Sequence, residues 1–509
     1  MPTPYRMSKK LQLIGRIFCC LGLILQIFTF ARAQDLKALI RIEATPVRTG
    51  FVSGENTVGQ RNLSFLLSGY GFDKLGERIS DLKLFDSDGK SISYKMFVAG
   101  EYVAETHFYR WSYKIDLQPF HLRPTATSLP FELRTATANL SWLSDTNGIL
   151  MLDDLLPKFV VIGRKTTANI RVESPLNWRT VSSELQPKPN EYEVSDVEKS
   201  VIYVGKNLVE NELEVGVSKI SIVTDGNWRF SNSDPVEFTN EIYENYAKVF
   251  RFDDSRRSII AIMKMPVTSR AGTWEAETRG RNVTIISEDM LFEAQSKQRL
   301  HEQLRHEIFH LWLPNGVNLS GNYDWFYEGF GLYQSLKFGV DVNRLRFDDM
   351  LATLSRAIST DGLVSNGTSL IDASKNRFGS SNTTVYARGM VVAFLCDLAL
   401  LDRSKGKRSV GNILRDIYKQ HHNSAIRVNG NEAVLAEFAK YPELKEIVDR
   451  YIKSGETIDS AMYVRLAGLD VQDQNGIKRL AVLPKPNSRQ KDLLDKLGYN
   501  SWRTLSKNN

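Results

Sequence analysis

Cysteine is almost missing from this chain: 3 residues in 509, two of them adjacent at Cys19-Cys20 and the third at Cys396. So little thiol excludes a disulfide-stapled scaffold and a cysteine-ligated zinc module. Histidine is scarce as well, at 7 residues. Beyond the first 33 residues no uninterrupted apolar run reaches the roughly 18 residues that mark a membrane-spanning helix. Internal repeats and low-complexity tracts are missing too, which removes solenoids and compositionally disordered classes. What remains is ordinary globular composition, 42% apolar and 25% charged. The length suits two or three domains of roughly 150 residues each.

The excess of positive charge shrinks once it is located. Lys and Arg total 66 against 59 Asp and Glu, a formal +7. Arg6, Lys9, Lys10 and Arg16 form a basic head, an apolar run follows from Ile17 to Phe30, and Ala31-Arg32-Ala33 is a small-x-small cleavage signal. That run is too short to span a bilayer as a helix, which needs about 20 residues. Residues 1–33 therefore read as a signal peptide cut after Ala33. The mature protein is expected to be secreted or periplasmic, without stable membrane insertion. The leader takes away five basic residues and no acidic one, leaving 61 against 59. A nearly neutral chain without interleaved basic and aromatic residues gives no support to a nucleic-acid partner.

The pattern along the chain predicts an α+β protein. Residues 34–228 show short alternating segments, such as Leu39-Ile40-Arg41-Ile42-Glu43 and Lys219-Ile220-Ser221-Ile222-Val223, separated by Gly, Pro, Asn and Asp clusters. Such spacing predicts an N-terminal β-sandwich domain. From 229 to 455 the register changes. A helical pattern at 238–250 precedes two buried strands, Ile259 to Met263 and Val283 to Ile286, the second a candidate for pairing with extended substrate. Helices follow, including the nearly all-apolar 390–401 segment. Residues 456–509 read as a short tail with one amphipathic helix at 489–497.

Three of the histidines fall close together, and two of them form His306-Glu307-Ile308-Phe309-His310. On a helix, positions i and i+4 lie about 40° apart, so His306 and His310 present their imidazoles on one face. Leu300, Leu304 and Leu311 lie on another side, which turns the histidine pair toward a cleft. Glu307 falls between the two faces, where a general base for the attacking water belongs. His301 is about 140° away on the same wheel and is not a third ligand. In a chain this poor in histidine a random HExxH is expected on the order of one per cent of the time. A third ligand is available in Glu328, separated from His310 by 17 residues and set in Trp325-Phe326-Tyr327-Glu328-Gly329. Two histidines and one carboxylate leave zinc an open fourth position, the catalytic arrangement. The aromatic and glycine flanks of Glu328 favour a partnered carboxylate over a solvated one.

The stretches HEIFHLWLPN and WFYEGFGLYQS resemble the gluzincin metallopeptidases, in particular aminopeptidase N-type enzymes and, more closely, the glycyl aminopeptidase family. Three further stretches support the latter: NGILMLDDLLP at 147–157, Tyr386-Ala387-Arg388-Gly389 with its apolar continuation, and Arg489-Gln490 to Leu494. The resemblance implies a thermolysin-like catalytic domain with a helical lobe behind the sandwich. It implies one zinc ion on His306, His310 and Glu328, and Glu307 as the base. Tyr386 would donate a hydrogen bond to the tetrahedral oxyanion. The substrate would be a peptide or protein, and the favoured activity an aminopeptidase releasing small N-terminal residues. A zinc endopeptidase of the same fold is one alternative, and a catalytically silent gluzincin used for binding is another. The chain departs from the resemblance in three places. The spacer before Glu328 is shortened, Arg388 stands where lysine is usual, and the segment that grips a substrate's α-amine survives only as Gly272-Thr273-Trp274-Glu275-Ala276-Glu277. Either Glu275 or Glu277 is a candidate for that grip. The tail is also too short for the PDZ domain that glycyl aminopeptidases often carry.

Overall fold

The computed structural model describes residues 35–499 apart from 46, 67–74, 120–136, 160–164, 252–254, 268 and 365–366. The leader and its cleavage site lie outside the described residues. The architecture is mixed α and β, stacked in layers: a nine-stranded sheet, a four-stranded sheet, a five-stranded sheet and a mass of helices.

The outer sheet is built around the long strands Thr49–Ser64 and Glu101–Asp116. Its alternation is visible in Leu36–Glu43, where Leu36, Ala38, Ile40 and Ile42 are buried and the residues between them are not. Those side chains share one core with Leu150, Ile202 and Val204 of the four-stranded sheet. The neighbouring residues Ile149, Met151, Val201 and Tyr203 point to the opposite face and into a second core. Strand period two thus explains why Asn147–Met151 and Val201–Gly205 read as continuous buried runs: both faces are covered.

The second core is closed by the five-stranded sheet, formed by β1 (Val209–Val215), β2 (Ser218–Thr224), β3 (Ser258–Lys264), β4 (Trp274–Arg279) and β5 (Asn282–Ser287) in the order β1-β2-β3-β5-β4. Ile259, Ala261 and Met263 face the sandwich, while Ile260 and Ile262 face the helices. Two sequence expectations change here. The hairpin β1–β2 alternates like a sandwich strand pair, yet β2 pairs in parallel with β3, so sheet membership changes at Val209 rather than at 228. And Val283 to Ile286 cannot take up an extended substrate, because β5 is bonded to β3 on one side and β4 on the other. The edge strand on that side of the sheet is β4.

The helices include α1 (Asp234–Phe250), α2 (Glu293–Phe309), α3 (Asp324–Asp341), α4 (Phe347–Val364), α5 (Leu370–Lys375), α6 (Asn382–Ser404) and α7 (Val410–His421). α2 lays Leu300, Leu304 and Ile308 on the sheet and α1. α6 is longer than its apolar run predicts and has the length and hydropathy of a membrane span, but 94% of that window is buried inside the protein. Its Arg388 is fully buried and paired with Asp361 at 3.3 Å. The tail holds more than one helix. Before the expected helix, observed as α8 (Ser488–Lys496), come a short helix, Ser460–Val464, and a hairpin of β6 (Leu469–Gln474) and β7 (Ile477–Val482). Its turn is Asn475-Gly476 with φ of 55° and 83°, the dipeptide whose positive φ values suit the twist of a two-residue hairpin.

Candidate metal centre and its cleft

His306 stands in the last turn of α2 and His310 caps its end, still in helical conformation at φ −68° and ψ −12°. The i, i+4 spacing therefore holds. His310 Nδ1 lies 2.9 Å from the Leu313 carbonyl and donates to it, which leaves Nε2 as the lone-pair atom facing the cleft. Across from α2, the second turn of α3 presents Glu328. His306 Nε2 is 3.3 Å from His310 Nε2 and 3.3 Å from Glu328 Oε2, and His310 Nε2 is 3.5 Å from that oxygen. Ligands at zinc bond lengths in a tetrahedron stand about 3.3–3.4 Å apart. Two imidazole nitrogens and one carboxylate oxygen at that separation suit a shared cation. Glu328 Oε2 is buried and faces both imidazole nitrogens.

The electrostatics agree. Burial alone would raise the Glu328 carboxyl, but Arg377 and His310 outweigh it and hold that carboxyl well below the usual range. Burial disfavours a charged His310, yet the Glu328 carboxylate and then Glu307 push its pKa up to about 9. The site attracts positive charge.

Glu307 is buried on the cleft side of α2, and the Thr278 hydroxyl of β4 donates to its Oε2 at 2.8 Å. Asn315, just after α2, locks this edge. Its amide donates to the Thr278 carbonyl at 2.9 Å and its oxygen accepts from Gly280 N at 2.9 Å. Tyr386, in the first turns of α6, reaches the same cleft. Its phenol oxygen accepts from Arg377 Nη2 at 2.7 Å, and the same Nη2 is 2.7 Å from Glu328 Oε1.

The two glutamates of β4 separate. A spacing of two puts them on one face of the strand, but Glu275 turns its carboxylate to Thr137 N, Thr137 Oγ1 and Ala138 N at 3.0, 2.8 and 3.4 Å. Glu277 lines the metal cleft, a cavity of about 330 Å³, together with His306, Glu307, His310, Glu328, Arg377 and Tyr386. Burial raises the pKa of Glu277 against the pull of Arg377 and Arg279. The sandwich reaches the cavity with Asp153, Glu198 and Lys199. A larger hollow of about 880 Å³ on the nine-stranded sheet contains none of the metal-site residues. His301 stays apart, 3.2 Å from Glu241 and packed on Phe238.

No protein-family model and no curated protein matches the chain. Among solved structures, an aminopeptidase N family protein from Idiomarina loihiensis superposes with a TM-score of 0.71 at 15% identity, over 86% of this chain and 79% of that one. An M1 zinc metallopeptidase from Deinococcus radiodurans gives a TM-score of 0.50 at 14% identity, over 82% of this chain and 91% of that one. A mutant of it bound to a Tyr-Ser-Ala substrate gives 0.50 at 14% identity, over 81% and 91%. The fold is that of the M1 zinc metallopeptidases.

On this M1 fold, one residue of the site escaped the sequence reading. Arg377 follows α5 in a polar Asn-Arg-Phe-Gly-Ser-Ser stretch that reads as a solvated loop, yet its side chain is only 12% exposed. Packing against α3 and α6 puts it between Glu328 and Tyr386, and no local periodicity carries that information. The glycines of the two helical motifs were in view, but their relation was not. Gly329 and Gly389 pack backbone to backbone, so that a Cβ on Gly329 would stand 2.3 Å from the Gly389 carbonyl carbon.

Proposed function

We propose that this protein is a zinc-dependent aminopeptidase of the gluzincin kind, exported by its leader and closest in character to the glycyl aminopeptidases. In this reading a sandwich domain precedes a thermolysin-like catalytic domain, and small N-terminal residues are released from peptides. One observation carries the proposal: two imidazole nitrogens and one carboxylate oxygen meet at 3.3–3.5 Å, with a glutamate of the same helix beside them.

His306, His310 and Glu328 would hold the zinc, which when bound supplies a Lewis acid that acidifies water and polarises the scissile carbonyl. Glu307 accepts a proton from the attacking water and returns it to the departing amine. The Thr278 hydroxyl keeps its carboxylate turned to the cleft. Tyr386 donates its phenol proton as a hydrogen bond to the oxygen that gains negative charge. The edge of β4 offers backbone groups to an extended peptide. Glu277, rather than Glu275, receives the substrate's α-ammonium, because only Glu277 lines the cleft. Asp153, Glu198 and Lys199 of the sandwich line the same cavity, which supports a cleft walled on that side and suited to a short N-terminal stub.

The test compares Gly- and Ala-initiated peptides bearing a free amine with their N-acetylated forms, before and after zinc is stripped and restored. Cleavage of the free-amine peptides alone, lost with zinc and recovered on its return, is expected. Equal cleavage of acetylated peptides would make the protein an endopeptidase. No cleavage of either form at full zinc occupancy would support the silent binding protein.

A further inference from the structure

We propose that Arg377 is a positioning residue that ties the carboxylate metal ligand to the oxyanion donor, ordering Glu328 and Tyr386 through a single guanidinium nitrogen. The proposal rests on the peptidase reading above for its catalytic half and on the metal cluster alone for the other.

Both terminal nitrogens of the guanidinium are engaged. Nη2 donates to the Tyr386 phenol oxygen at 2.7 Å and forms an ion pair with Glu328 Oε1, also at 2.7 Å. Nη1 serves Asp324 Oδ1 at 2.9 Å and the Tyr327 hydroxyl at 3.2 Å, and that hydroxyl itself donates to Asp324 at 2.7 Å. Asp324 and Tyr327 belong to the same helical turns as Glu328, so α3 holds the guanidinium in its plane and orientation.

Two consequences follow from which atoms are occupied. Because Arg377 takes Glu328 Oε1, the carboxylate presents Oε2 alone to the two imidazole nitrogens. A ligand restricted to one oxygen leaves room at the metal that a two-oxygen grip would fill. Because the Tyr386 oxygen accepts a hydrogen bond from the guanidinium, its own hydrogen is turned away from Arg377 and toward the cleft that Tyr386 lines. The phenol is thereby set as a donor before substrate arrives, which is the preorganisation an oxyanion requires. Lysine cannot replace this geometry, since one ammonium nitrogen does not span four acceptors in a plane.

The experiment uses the full mature chain with Arg377→Met, Arg377→Lys, Tyr386→Phe and the Arg377→Met/Tyr386→Phe double variant. Three quantities are read: zinc release into an excess of chelator, kcat, and KM. Arg377→Met is expected to release zinc about 10- to 100-fold faster and to lower kcat about 100-fold with little change in KM. Tyr386→Phe is expected to cost about 100-fold in the wild-type background but only a few-fold beside Arg377→Met, because its donor is already disordered there. Arg377→Lys is expected to restore neither quantity, and it carries the same readouts if Arg377→Met does not fold. Equal Tyr386→Phe factors in both backgrounds, with zinc release unchanged by either Arg377 variant, would overturn the proposal. If wild type itself hydrolyses no peptide, the peptidase reading fails and zinc release alone decides whether Arg377 orders Glu328.

Discussion

At the scale of single residues, the site shows that like side chains are given different work by their surroundings. Glu275 and Glu277 are two positions apart on one strand, and both were candidates for gripping an α-amine. Glu275 spends its carboxylate on Thr137 and Ala138, and burial holds its pKa up at about 7 against 4.5 for an ordinary glutamate. The folded state therefore binds this proton more tightly than the unfolded one. Its contribution to stability is full below about pH 4.5, declines as the pH rises toward 7, and levels off above that. The decline is on the order of 3 kcal/mol. Glu275→Gln keeps a neutral acceptor at all pH values. Denaturant midpoints are expected to fall less between pH 5 and pH 7.5 in the variant than in wild type. Parallel falls would show that Glu275 is not the titrating group.

At the scale of elements, Glu328 and Tyr386 are brought together by two helices that can approach only because glycine meets glycine. The Cβ missing from Gly329 would sit 2.3 Å from the Gly389 backbone. The α3–α6 crossing is thus set by the residue that follows Glu328 and by the one three positions beyond Tyr386. Gly329→Ala is expected to destabilise the protein by about 1–3 kcal/mol, as overpacked cores do, and to lower zinc occupancy because the helix must shift with Glu328 on it. A thermal midpoint and zinc content equal to wild type would contradict this.

The same scale shows what the sequence could and could not convey. HExxH at helical spacing located His306, Glu307 and His310 because a helix converts spacing directly into a shared face. Glu328 was legible through its buried-looking aromatic flanks. Arg377 was not, because its polar neighbours match those of any exposed loop and its partners come from α3 and α6. The edge position of β4 was equally hidden, since strand order is a property of pairing and not of periodicity. By contrast, the Asn475-Gly476 turn was written plainly between two alternating runs, and its hairpin could have been read.

At the scale of the whole molecule, the layering explains how one cleft draws on distant parts of the chain. Tyr203 of the four-stranded sheet bonds Thr284 of β5 at 2.7 Å, and the shared apolar core behind them fixes the four-stranded sheet to the five-stranded one. The sheet in turn carries β4 past α2, and the helical lobe adds Glu328, Arg377 and Tyr386 from the other side. In the proposed reaction the proton passes through one carboxylate of this cleft, Glu307. Peptide turnover by zinc-reconstituted wild type and Glu307→Gln, compared at equal zinc content, is the decisive measurement. General-base loss is expected to reduce kcat by about 100- to 10,000-fold while zinc stays at one ion per chain. Turnover by Glu307→Gln equal to wild type would contradict hydrolysis at this centre.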